Sequence, residues 1–118
     1  MDGTAAIKAL SGLAQPTRLE IFKLLVTLEP IGMPAGEIAR RLGVPHNTMS
    51  THLGVLAGGG LVSSERQSRS IIYRANLARF REVIVYLLKD CCAGKPEICD
   101  PLIADLVPCC EPSGACHG

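Results

Sequence analysis

The chain is 118 residues long, 47% hydrophobic but only 3% aromatic, and its 12 Lys and Arg against 11 Asp and Glu give a net charge of +1. That length holds one domain and that apolar content excludes a disordered chain, while an aromatic-poor core suits packed helices better than a β-sandwich. No apolar run approaches the ~20 residues of a membrane span, and Asp2 precedes any basic residue, so a cytoplasmic location with no membrane partner is expected.

In chain order, Ile7, Leu10 and Leu13 predict a short helix over residues 4–13. Pro16 suits the first position of a second helix over residues 16–28, where its missing N–H costs nothing. Leu19, Ile21, Phe22, Leu25, Val26 and Leu28 give that helix a broad apolar face, so it is expected to be central and mostly buried. Residues 29–34, with Gly32 and two prolines, read as a loop.

A third helix is expected over residues 37–42, with Ile38 and Leu42 four apart and Gly43 as its C-terminal cap. After Pro45 a fourth begins, carrying Met49, Leu53 and Leu56 on one side. Two short helices joined by a glycine-containing turn form the helix-turn-helix pattern. At 100° per residue those three apolar side chains fall within about 60° of one another. Asn47, Thr51 and Gly54 fall nearly opposite, Ser50 at the shoulder, and His46 and His52 at the two margins. Short amide and hydroxyl groups, beside a glycine that lets a surface come close, can read base edges or hold phosphates. An ordinary solvated helix face has the same composition.

Past Gly58-Gly59-Gly60 the period shortens, and residues 61–66 and 70–75 read as two strands with Gln67-Ser68 as the turn. Arg66 and Arg69 then lie near the hairpin tip, making a basic wing beside the helix-turn-helix. Residues 35–76 hold five arginines against two glutamates, whereas residues 89–118 hold two lysines against five acidic groups. The middle suits a polyanion and the end does not. A last helix over residues 77–90 carries Phe80, Val83, Ile84, Leu87 and Leu88. Either the second helix covers this wide face or it is a dimer seam, the reading favoured here.

LAQPTRLEIFKLL, followed by EIARRLGVPHNTMSTHLGVLAGGGLVSSERQSRSIIYR, resembles the ArsR/SmtB family of metal-sensing repressors. The specific part is S-x-H-L-x-x-L-x-x-x-G-L-V at residues 50–62. The resemblance implies a mainly α fold with a β-hairpin wing (α+β), a homodimeric winged helix-turn-helix paired through residues 1–13 and 77–92. It implies a repressor that holds double-stranded operator DNA and releases it when metal or metalloid binds. By position, the base and phosphate contacts would be His46, Asn47, Ser50 and Thr51, with Arg66 and Arg69 on the wing. One departure stands out: Ser68 occupies the wing tip, where the family often has Gly.

All six cysteines fall after residue 90: Cys91, Cys92, Cys99, Cys109, Cys110 and Cys116. The third helix lacks the Cys-x-Cys of the family's arsenic and cadmium type, and the last helix lacks the His of its zinc and nickel type. Soft ligands occur only in the terminal segment, so a winged-helix domain over residues 1–92 and a flexible thiol-rich tail over 93–118 are expected. Adjacent cysteines make a strained disulfide with each other but can give two sulfurs to one soft centre. Three sulfurs in a pyramid suit As(III) or Sb(III), whereas zinc wants a fourth ligand and thiolates reject hard cations. The arrangement resembles a subset of the family whose arsenite site is a Cys-Cys pair after the last helix plus a third nearby, here Cys91, Cys92 and Cys99. Cys109, Cys110 and Cys116 repeat the pattern as a duplicate site, a capture site, a mixed site with His117, or thiols binding opportunistically.

Rivals to a metalloid-responsive repressor are a redox repressor forming a bridge such as Cys92–Cys109, a cadmium, lead or zinc sensor, and a metal-buffering protein. An enzyme is not expected. No His or acidic group is placed to activate a cysteine nucleophile, no Cys-x5-Arg loop is present, and no organic cofactor is implied.

Overall fold

Side-chain caps start three of the helices and explain where each begins. Asp2 accepts the Ala5 N–H at 2.8 Å to open α1 (Gly3–Leu13), and Gln15 accepts the Arg18 N–H at 2.8 Å to open α2 (Pro16–Thr27). Asn76 opens α5 (Leu77–Cys91) by accepting the Arg79 N–H at 3.2 Å, while its amide donates to the Gly60 carbonyl at 2.9 Å. Between them lie β1 (Met33–Pro34), α3 (Ala35–Leu42), α4 (His46–Gly58), β2 (Val62–Gln67) and β3 (Ser70–Ala75). This computed structural model describes residues 1–91. The chain divides into two units, Met1–Val83 and Ile84–Gly118, and the core and the site lie in the first. The expected boundary at residues 92 and 93, and every thiol after Cys91, lies outside the described residues.

The core is aliphatic, as the composition implies. Ile21, Leu25, Ile38, Met49, Leu53, Leu56, Leu61 and Val83 are each less than 2% exposed. Burying a side chain of this size stabilises the fold by about 1.5–3 kcal/mol. Phe22 and Phe80, with ring centroids 5.4 Å apart and planes at 48°, pack the start of α5 on α2.

Three expectations need correction. The apolar face of α2 is narrower than its sequence suggests: Ile21, Phe22 and Leu25 are buried, but Leu19 and Val26 are 42% and 36% exposed. Those two lie at the far edge of the stripe, beyond Phe22, where nothing among the described residues covers them fully. Residues 29–34 also hold more than a loop. Met33 and Pro34 pair with Tyr73 and Ile72, so the wing hairpin belongs to a three-stranded antiparallel sheet of order β1-β3-β2. Two residues, one of them Pro, carry no readable period, and Pro is tolerated because β1 is an edge. Finally, Gln67 pairs with Ser70, which moves the turn to Ser68-Arg69. Ser68 takes φ +56, a left-handed conformation that glycine adopts without strain.

The sheet is tied to the end of α2 by one ion pair. Arg74 on β3 donates to both carboxylate oxygens of Glu29, at 2.8 and 3.2 Å. These hydrogen bonds hold the Glu29 carboxyl below its ordinary value, against the opposing effect of its partial burial. A depressed carboxylate adds stability that is present above the unfolded-state value and is lost as pH falls through the folded one. Glu29→Gln is therefore expected to lower the melting midpoint at neutral pH. The gap between variant and parent should close below about pH 4, as followed by circular dichroism melts across pH.

Candidate nucleic-acid interface

The α4 helix is held from beneath and polar above. Met49, Leu53 and Leu56 are at most 1% exposed, and the αL residue Gly43 (φ +66) ends α3 and turns the chain into α4. Pro45 is the N-cap and offers no side-chain cap, so of the first three N–H groups only that of Thr48 is taken among the described residues, by the Asn47 side chain. Of the six residues expected to meet DNA, His46, Asn47, Ser50 and Thr51 are all exposed on the first two turns of α4.

Their hydrogen bonds set what this face offers. The Ser50 hydroxyl donates to the His46 carbonyl and the Thr51 hydroxyl to the Asn47 carbonyl, each at 3.4 Å. With their protons turned inward, both oxygens present lone pairs to the outside. Asn47 is the reverse: its Oδ1 accepts the Thr48 N–H at 2.9 Å, leaving the two amide protons free to donate. A donor flanked by acceptors is suited to the mixed pattern of base edges in a major groove. Gly54 continues the same face, and a Cβ built on it would meet nothing within 4 Å.

Arg66 and Arg69 are exposed at the far end of the hairpin, Arg66 opposite Ile71 and Arg69 in the turn itself. No hydrogen bond joins these two to the α4 residues among the described residues, so they form two separate exposed groups. The positive charge read from sequence is less available than its count implies. Arg40 is paired with Glu37 and Arg74 with Glu29, whereas Arg41, Arg66 and Arg69 have no ion pair among the described residues.

One contact at the margin of this face has no signal in the sequence. His52, on the inner margin of α4, meets Arg18 of α2: the guanidinium Nη1 lies 3.4 Å from Nδ1 of the imidazole. The same guanidinium donates through Nε to the Gly12 carbonyl at 2.7 Å. Thirty-four positions separate Arg18 from His52, and no local pattern points across such a gap. For the thiols, Cys91 is the last residue of α5, and the rest of the expected ligand set lies outside the described residues. No helix among the described residues is long and apolar enough to cross a membrane.

Residues 13–65 match the model of a family described as a helix-turn-helix domain. The chain is 32% identical over 88 residues to a biofilm growth-associated repressor of Xylella fastidiosa, an alignment spanning 75% of each protein. Among solved structures it is similar to an ArsR-like transcriptional regulator from Rhodococcus, with 25% identity, a TM-score of 0.70, and 87% of this chain and 92% of that one covered. It is also similar to the homodimeric winged helix-turn-helix DNA-binding domain of a possible ArsR-family regulator from Mycobacterium bovis. There the identity is 27% and the TM-score 0.61, with 74% and 80% of the two chains covered.

Proposed function

The chain belongs to the ArsR family of winged-helix transcriptional regulators, and from that footing we propose that it is a repressor binding double-stranded operator DNA as a homodimer. We propose further that As(III) or Sb(III), held by Cys91, Cys92 and Cys99, acts as the inducer that releases it. The family is one of DNA-binding regulators, not of enzymes.

The observation that carries the repressor reading is Gly54. Its backbone is ordinary helix, and among the described residues no neighbour crowds it and nothing requires a glycine there. A mid-helix glycine costs about 1 kcal/mol against a good helix former. Its presence on a face of short polar side chains fits a helix that another surface must approach closely. Gly54→Leu is accordingly expected to raise the melting midpoint by several degrees, at roughly 4–8 °C per kcal/mol for a small domain. DNA affinity should fall about tenfold or more, the loss of one good base contact being worth about 1–3 kcal/mol. A variant that gains stability and keeps full affinity would remove α4 from the interface.

Apolar side chains left open on α1 and α5 support the homodimer: Ile7 is 65% exposed, Leu10 37%, Leu77 44% and Val85 43%. A second copy burying them would regain the transfer energy that one chain forgoes. The metalloid reading is supported by the donor set. Three thiols displace three hydroxyls of arsenous acid and release three waters, and the lone pair fills the remaining direction. Gel-shift titration of a duplex selected from a random pool, with arsenite, antimonite, cadmium, zinc and peroxide in separate arms, tests the whole reading. Release by the trivalent metalloids upholds it, release by peroxide alone replaces it with a redox switch, and no binding to any duplex overturns it.

A further inference from the structure

The packing under α4 sets the direction of its polar face only to within several degrees. Met49, Leu53 and Leu56 are held by apolar contact, which carries no direction. A helix seated only on such contacts can rotate about its axis by several degrees, enough to misplace Asn47 and Thr51. The directional restraint on the described part of α4 comes from His52, roughly 140° round the helix from Asn47 at 100° per residue. Its Nδ1 faces the Arg18 guanidinium at 3.4 Å, while the Nε of the same group holds the Gly12 carbonyl at 2.7 Å. Gln15 fixes the Arg18 backbone through the cap at 2.8 Å.

Resting on the reading of α4 as the DNA-reading helix, we propose that Arg18 and His52 are positioning residues for operator recognition. The guanidinium fork spans the end of α1 and the inner margin of α4 and so sets the rotation of the reading face against α1. Neither residue touches DNA. The neighbouring contacts agree that α1 is the reference body. A Cβ built on Gly59 would lie 3.0 Å from the Ala9 Cα, and one on Gly12 3.7 Å from the Val55 carbonyl. The last two turns of α4 therefore sit almost backbone to backbone on α1. Because α1 also carries the exposed Ile7 and Leu10 of the proposed dimer seam, the same link sets the spacing of the two reading helices in a pair.

Two features of the chemistry make this testable. An arginine offers five N–H donors in a fixed fork and can hold two acceptors at once, whereas lysine carries the same charge on one centre. The imidazole accepts through Nδ1 when its proton is on Nε2, and the Oδ1 of an asparagine can take the place of that acceptor. Arg18→Lys, His52→Leu and His52→Asn would be compared with the parent by fluorescence anisotropy on a selected duplex and a scrambled one. Salt would be varied, and melting midpoints recorded alongside. The expected result is a loss of about five- to tenfold for Arg18→Lys and His52→Leu on the selected duplex, the size of one hydrogen bond. Affinity for the scrambled duplex and the salt slope should hold, the melting midpoint should fall by no more than the few degrees that one lost internal hydrogen bond costs, and His52→Asn should stay within about twofold. Parental affinity in Arg18→Lys or in His52→Leu overturns the proposal, as does His52→Asn falling as far as His52→Leu. Equal losses on both duplexes with a matching drop in midpoint mark a merely structural contact and overturn it too. If the parent binds no duplex, the repressor reading fails and this inference with it; intact binding by the variants removes this inference alone.

Discussion

Gly32→Ala is expected to destabilise the fold by about 3 kcal/mol or more, while the outwardly similar Gly43→Ala costs about 1–2 kcal/mol. Both glycines are left-handed, at φ +77 and +66, so each substitution forces an L side chain into a strained conformation. The difference lies in what the new methyl meets. At Gly43 it meets nothing within 4 Å. At Gly32 it would sit 2.5 Å from the Tyr73 carbonyl oxygen, 2.6 Å from Arg74 Cγ and 2.8 Å from Ile72 Cγ2. The nearest of these is backbone of the central strand β3, which cannot turn aside as a side chain can. Relief would require β1 to pull away, breaking the Met33–Tyr73 and Pro34–Ile72 pairs and stretching the nearby Glu29–Arg74 ion pair. At about 4–8 °C per kcal/mol, Gly32→Ala should melt more than about 12 °C below the parent and Gly43→Ala by at most about two thirds of the Gly32→Ala shift. Equal shifts in the two variants would mean that the close approach of Gly32 to β3 is not a real constraint.

A feature of this fold is legible in the sequence when the interaction that determines it is local. Met49, Leu53 and Leu56 announce α4 because burial on one side of a helix leaves a 3.6-residue period, and all three are buried as expected. Gly43 marks the turn because few residues other than glycine take its conformation cheaply. The polar face of α4 follows from the same winding, and the structure places His46, Asn47, Ser50 and Thr51 outward. What the sequence hides is pairing between distant segments. Nothing in Met33-Pro34 points to Tyr73 and Ile72 forty residues away, nor does Arg18 point to His52. Counting arginines overstated the free charge for the same reason: Glu29 neutralises Arg74 from across the fold. The one-residue shift of the wing turn is different. Ser68 gives a weaker turn signal than glycine, and its positive φ is imposed by the registered strands on either side.

Cys91→Ser and Cys92→Ser should each leave operator binding at the parental level while removing release by arsenite. This expectation rests on the proposed inducer site, and two physical points support it. First, a serine hydroxyl is nearly the size of a thiol but is a hard, weakly acidic oxygen that does not hold a soft trivalent centre. Losing one of three sulfurs leaves a two-sulfur chelate that no longer closes the pyramid proposed to act on the dimer, so release should be largely lost. Second, the thiols are remote in sequence from the α4 face, so the uninduced affinity should not move. In the parent, coupling of about 1–3 kcal/mol between inducer and DNA would weaken binding roughly 5- to 150-fold. That is the range expected if metalloid binding by the thiols favours a dimer whose reading helices no longer match successive major grooves, ~34 Å apart. Cys99→Ser should behave as the other two, and Cys110→Ser should still release. Anisotropy titrations with arsenite, run beside competition by a small dithiol, separate the outcomes. Normal release in the Cys91 and Cys92 variants would move the site to Cys109, Cys110 and Cys116. Loss of DNA binding without arsenite would mean that these thiols hold the dimer together rather than take it apart.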